Sequence, residues 1–83
     1  MFINKARDGA NNLCGPQVAA LRKQMGLSQR ALANRLQLEG LGIDKNAIQR
    51  LECGKRFVTD IELAALARVL RVSLEALIGE TPE

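Results

Sequence analysis

Apolar positions along this chain fall at helical spacing, and helix start and stop signals divide them into five short segments. Val18, Leu21 and Met25 stand at i, i+3 and i+7 behind Gly15-Pro16, and Gly26 follows as a stop. Proline suits the first helical position because its missing N–H would be unpaired there anyway. Ser28 can cap a second helix through its hydroxyl, with Ala31, Leu32, Ala33 and Leu36 as the inner face and Gly40 as the expected stop. Asp44 can cap a third, with Ala47, Ile48 and Leu51 turned inward and Gly54 at its end. The run Thr59-Asp60-Ile61-Glu62 reads as a capping box, in which the hydroxyl reaches forward and the carboxylate reaches back. It opens a fourth helix that should bury Ile61, Leu63, Leu66, Ala67 and Leu70. Ser73 caps a fifth carrying Leu74, Leu77 and Ile78, closed by Gly79. The pattern predicts a compact all-α, five-helix domain over residues 15–79, preceded by a flexible N-terminal arm (1–14) and followed by a frayed C-terminus (80–83).

Composition narrows the chemistry. Eighty-three residues leave room for one domain, and 47% hydrophobic with 25% charged residues is a folded rather than a disordered composition. With two Phe and no Trp or Tyr, the core must be built from Leu, Ile, Val and Ala. The absence of histidine removes the usual general base and the commonest metal ligand. Cys14 and Cys53 alone make a poor zinc set, and neither a P-loop nor a G-x-G-x-x-G occurs. No enzyme activity, metal or cofactor is therefore expected. No apolar run approaches the roughly 20 residues needed to cross a bilayer, and the opening MFINKARDGANN has no signal-peptide stretch. The expectation is a cytoplasmic, nucleoid-associated protein with no membrane partner and with both cysteines as free thiols.

Charge divides the chain. The net is +3, but residues 1–59 hold ten Lys/Arg against four Asp/Glu (+6), while residues 60–83 hold two Arg against five acids (−3). A basic front suggests a face for a polyanion, although an accidental asymmetry of a solvated surface reads the same way.

The motifs decide between these. A helix-turn-helix needs a small residue where its helices touch, a glycine where the chain turns left-handed, and a branched apolar residue where the second helix meets the core. Ala33, Gly42 and Ile48 supply these, with Leu51 three positions after Ile48. The segments LRKQMGLSQRALANRL and LGIDKNAIQRLECGKR resemble the lambda repressor and Cro group of helix-turn-helix regulators, the Xre type. The resemblance covers about residues 16–78 and rests on Leu27-Ser28-Gln29, Ala33, Ile48, Leu51-Glu52, Gly54-Lys55-Arg56 and the capped final helix pair. One departure stands out: Gly42 lies nine residues after Ala33 and Ile48 fifteen after it, each five more than in the family pattern. A five-residue insertion between Leu36 and Leu41 accounts for both offsets. The second helix should then run to about Glu39 and break at Gly40, with Leu38 and Leu41 covering extra core surface.

The resemblance implies a lambda-repressor-like DNA-binding domain whose third helix enters the major groove. It places Lys45, Asn46, Gln49 and Arg50 as base contacts. Their chemistry suits that role, since Asn or Gln can bond adenine bidentately and Arg or Lys can bond guanine. It places Gln29, Arg30, Lys55 and Arg56 as phosphate contacts, Gln29 where exposed N–H groups attract an anion. Asp44 reads as a cap, because a carboxylate repels phosphates. Arg22 and Glu52 should form a structural ion pair between the first helix and the end of the recognition helix.

The implied function is sequence-specific double-stranded DNA binding by a transcription regulator, a repressor by expectation, of bacterial or prophage type. A homodimer should read a two-fold operator, because one domain covers only a half-site. Leu74, Leu77 and Ile78 are candidates for its interface, or simply close the core. Two alternatives remain: a DNA-binding antitoxin with a toxin or co-regulator as protein partner, and a helical protein-interaction module.

Overall fold

Hydroxyl and carboxylate side chains start four of the five helices. In the computed structural model, which describes residues 9–79, α1 spans Gly15–Gln24, α2 Gln29–Leu38, α3 Lys45–Glu52, α4 Asp60–Leu70 and α5 Leu74–Ile78. Ser28, Asp44, Thr59 and Ser73 each accept a hydrogen bond from the N–H three residues on. Such caps satisfy backbone donors that a helix start leaves open. Glu62 returns a bond from the Thr59 N–H, completing the capping box.

The inward faces meet in one core of Cys14, Val18, Leu32, Ala33, Leu36, Ile43, Ile48, Leu51, Ala65, Leu66, Leu70 and Leu77. α2 and α3 pack against each other, α1 lies across α3, α4 and α5, and α4 touches α2 and α5 as well. Ala33 is buried within the core, the place for which its small side chain was expected. Among the described residues there is no strand, and no helix is long and apolar enough to cross a membrane.

Several apolar residues fall elsewhere than expected. Leu38 is 88% exposed, because two residues beyond buried Leu36 is about 200° around the helix. Ile61 is 69% exposed; it lies about 140° from Leu66 and about 180° from Leu70 around α4. Met25 is exposed because α1 ends at Gln24 and leaves it at the C-cap. Leu77 is buried and so closes the core rather than offering a dimer surface, whereas Leu74 is exposed and Ile78 half-buried.

The connection between α2 and α3 also corrects the sequence reading. Gly40, with φ +92°, makes the left-handed turn assigned to Gly42, which has no positive φ and open space where a side chain would be. Leu41 is partly buried against the core, and Ile43, unassigned from sequence, is fully inside it. Residues 1–8 of the expected arm and residues 80–83 of the expected frayed end lie outside the described residues. The rest of the arm is docked: Cys14 is buried, and the Asn12 side chain donates to the Leu51 and Arg56 carbonyls.

Candidate nucleic-acid interface

α3 has two faces. At 100° per residue, Lys45, Gln49, Asn46 and Arg50 lie at about 0, 40, 100 and 140°, and Ala47, Leu51 and Ile48 at about 200, 240 and 300°. Ile48 and Leu51 are fully buried and Ala47 is half-buried, which turns the polar four outward. All four are exposed, and none has a hydrogen-bond or ion-pair partner for its side chain among the described residues. Asp44 is occupied at the start of the helix, accepting from the Ala47 N–H at 2.8 Å.

A polar junction fixes α3 against α1 and α2. Arg22 of α1, only 9% exposed, donates from Nε to Glu52 Oε2 at 2.6 Å and from Nη2 to Glu52 Oε1 at 3.1 Å. Its Nη1 donates to the Leu27 carbonyl at 2.8 Å. Gln29 Nε2 donates to Glu52 Oε1 at 3.1 Å. The first helix, through Arg22, and the start of the second, through Gln29, thus meet at one carboxylate at the end of the third. The bond to Glu52 raises the Arg22 pKa further above its ordinary value, outweighing the opposing effect of burial. This guanidinium stays charged.

Close backbone approach tightens the same region. A side chain on Gly15 would place its Cβ 2.6 Å from the Leu51 carbonyl oxygen and 3.1 Å from that of Glu52. Only glycine lets the start of α1 sit so near the end of α3.

The expected phosphate-contacting residues separate into two groups. Arg30 and Lys55 are exposed, with no side-chain partner among the described residues. Gln29 and Arg30 also carry N–H groups at the start of α2 with no acceptor among the described residues, as helix geometry requires of a first turn. Arg56 and the Gln29 side chain are engaged elsewhere. Arg56 Nη1 and Nη2 each donate to a Glu62 carboxylate oxygen at 2.9 Å, and Nη1 also reaches the Phe57 carbonyl at 3.0 Å. The Arg56 guanidinium, followed by the Thr59 backbone bond, holds the Glu62 carboxyl below its ordinary pKa against the effect of burial.

Sequence reasoning missed several supports of this surface. Gln37 Nε2 donates to the Ile43 carbonyl at 2.9 Å, bracing the turn just before the α3 cap. Arg68 Nε donates to Glu39 Oε1 at 2.8 Å, an exposed tie from α4 to the end of α2. Asn11 and Asn12 bond the backbone at the end of α3 and just after it. Their only sequence signal was the habit of asparagine side chains to bond nearby backbone, which does not identify so distant a target. Of the two free thiols, Cys53 is exposed and Cys14 is buried, and desolvation pushes the Cys14 pKa up.

Among the described residues, no group of His, Cys, Asp and Glu is placed to hold a metal ion. A comparison with curated proteins finds no match. The helix-turn-helix family model matches residues 18–77, a span that runs from within α1 to within α5 and contains both helices of the motif. With the paired α2 and α3 and the solvated face of α3 in place, the chain belongs to the Xre/lambda repressor-like helix-turn-helix family of DNA-binding regulators.

Proposed function

We propose that the protein binds a two-fold duplex DNA site as a homodimer and represses transcription, reading bases through α3 in the major groove. The outward quartet of α3 carries this reading: Lys45, Asn46, Gln49 and Arg50 are solvated and uncommitted, on a helix whose opposite face is anchored. Asn46 and Gln49 suit adenine, and Lys45 and Arg50 suit guanine. Phosphates are met by the Gln29 and Arg30 N–H groups, the Arg30 side chain and Lys55. Arg56, whose guanidinium faces Glu62, acts chiefly by pinning the loop that carries Lys55. A second copy docks on the α5 side, where Leu74 is exposed and Ile78 half-buried.

Selection of bound sites from random duplexes tests the base-reading set. Arg50→Ala should cost about 1–3 kcal/mol at one base position and relax the motif there, whereas Lys55→Ala should weaken all sequences alike. The same selected motif from wild type and Arg50→Ala refutes the assignment. A salt titration tests the class of partner. A dimer neutralising about four phosphates through Arg30 and Lys55 should give a log–log slope of about −3.6. A flat slope removes DNA as the ligand and favours a helical protein-interaction module.

A further inference from the structure

The backbone that leaves the recognition helix is held from outside the helix-turn-helix. The last carbonyls of a helix have no partners within it. Here a segment 39 to 44 positions earlier in the chain supplies donors to the end of α3 and to the loop behind it. The Asn11 N–H donates to the Gly54 carbonyl at 2.7 Å, and Asn11 Nδ2 to that of Lys55 at 3.0 Å. Asn12 Nδ2 bridges the carbonyls of Leu51 at 3.0 Å and Arg56 at 2.7 Å. Asn12 Oδ1 accepts from the Gly15 N–H at 2.9 Å, so the same side chain is fixed to the first residue of α1. Lys55 sits in the middle of this strap. Its N–H donates to the Arg50 carbonyl at 2.9 Å, its own carbonyl is held by Asn11, and its side chain alone is solvated.

We propose that Asn11 and Asn12 are positioning residues for DNA binding: they hold the backbone of residues 54–56 so that Lys55 meets a phosphate in fixed register with the bases read by α3. The proposal rests on the DNA reading above. A loop held before binding has no ordering to lose on contact, so fixing it raises affinity without any new contact to the ligand. Neither asparagine touches DNA in this account. Each acts through the carbonyls it bonds.

The experiment is a salt titration of duplex binding by wild type, Asn12→Ala, Asn12→Asp, Lys55→Ala and the Asn12→Ala/Lys55→Ala double variant, with folding checked by circular dichroism. Aspartate can still accept from the Gly15 N–H but cannot donate to the two carbonyls. Asn12→Ala and Asn12→Asp should each bind about three- to tenfold more weakly at moderate salt. Their salt slopes should be shallower by about 0.9 for each half-site, as for Lys55→Ala. Adding Lys55→Ala to Asn12→Ala should then change little. A purely structural role would lower the melting temperature but leave the slope of folded Asn12→Ala unchanged, while Asn12→Asp, which adds a negative charge, would lose slope through that charge alone. A wild-type slope in Asn12→Ala, with a full additional loss on removing Lys55, overturns the positioning role while the DNA reading stands. No salt-dependent retention of DNA by wild type removes both. Should the Asn12 variants fail to fold, Asn11→Ala, which deletes the Nδ2 bond to the Lys55 carbonyl and leaves the Asn12 bridge in place, decides the matter. It should shift slope and affinity in the same direction by less, and wild-type values for both overturn the proposal.

Discussion

Breaking the Arg22–Glu52 pair from one side should do more damage than removing it whole. Both side chains are about nine-tenths buried, with relative exposures of 10% and 8%. Arg22→Met leaves the Glu52 carboxylate with the Gln29 amide as its remaining donor and frees the Leu27 carbonyl. Glu52→Gln leaves a buried guanidinium beside a neutral amide. Removing one member of a buried pair costs about 3–5 kcal/mol, whereas replacing both by apolar groups is often near neutral. The Leu27 carbonyl and Gln29 amide also lose partners in the double variant, each worth about 1 kcal/mol. Each single substitution should therefore cost about 3 kcal/mol, and Arg22→Met/Glu52→Leu about 2 rather than the sum of about 6. A chain of this length has a total stability of about 4–12 kcal/mol, so either single change is large. Urea melts at constant m-value read the difference directly, and thermal melts should fall by about 4–8 °C per kcal/mol. A double variant that loses the full sum of the single losses refutes the coupling. The two residues would then be acting independently despite their contact.

Two further expectations concern the turn and the loop. Gly40→Ala should cost about 1 kcal/mol, because its φ of +92° disfavours a side chain, while Gly42→Ala should be neutral or slightly stabilising; equal melts for the two would contradict the turn geometry. Glu62 is held below its ordinary carboxyl pKa of 4.5, so its contribution is complete above that value and is lost as pH falls through the lower folded value. Glu62→Gln keeps an amide able to serve the capping box, yet should lower stability by about 1–2 kcal/mol at neutral pH, with the deficit shrinking below pH 4.5. A deficit that stays constant down the acid limb in pH-dependent denaturation would assign the loss to packing.

Punctuation made the helices legible. Ser28, Asp44, Thr59 and Ser73 announce their helices because capping is a short-range interaction between a side chain and an N–H three residues away. Ala33, Ile48 and Leu51 were legible as core because they share a helical face. Leu38 and Ile61 are apolar but lie off the buried faces of α2 and α4, so their hydrophobicity alone does not predict burial. Gly42 was chosen over Gly40 by spacing, but a left-handed residue is fixed by the path of the chain. In the candidate site, the polar quartet of α3 came from the family resemblance, and the helix turns all four side chains outward. The asparagine strap could not be read from sequence, since it joins segments 39 to 44 positions apart whose meeting depends on the whole fold, and the Arg56–Glu62 pair, only six positions apart, depends on the path of the loop between them. Arg22 and Glu52 were paired only through the family resemblance, and the structure brings them together.

The braced turn between α2 and α3 has a consequence for how this domain can diversify. Gln37 clamps one side of it and Leu41 and Ile43 are sunk in the core, yet at Gly42 the chain stands in open space. Length changes are therefore best absorbed at that one link, where an added residue lifts the chain away from the body instead of rotating a packed helix. Such a joint would let α3 be re-angled while the core beneath it keeps its packing.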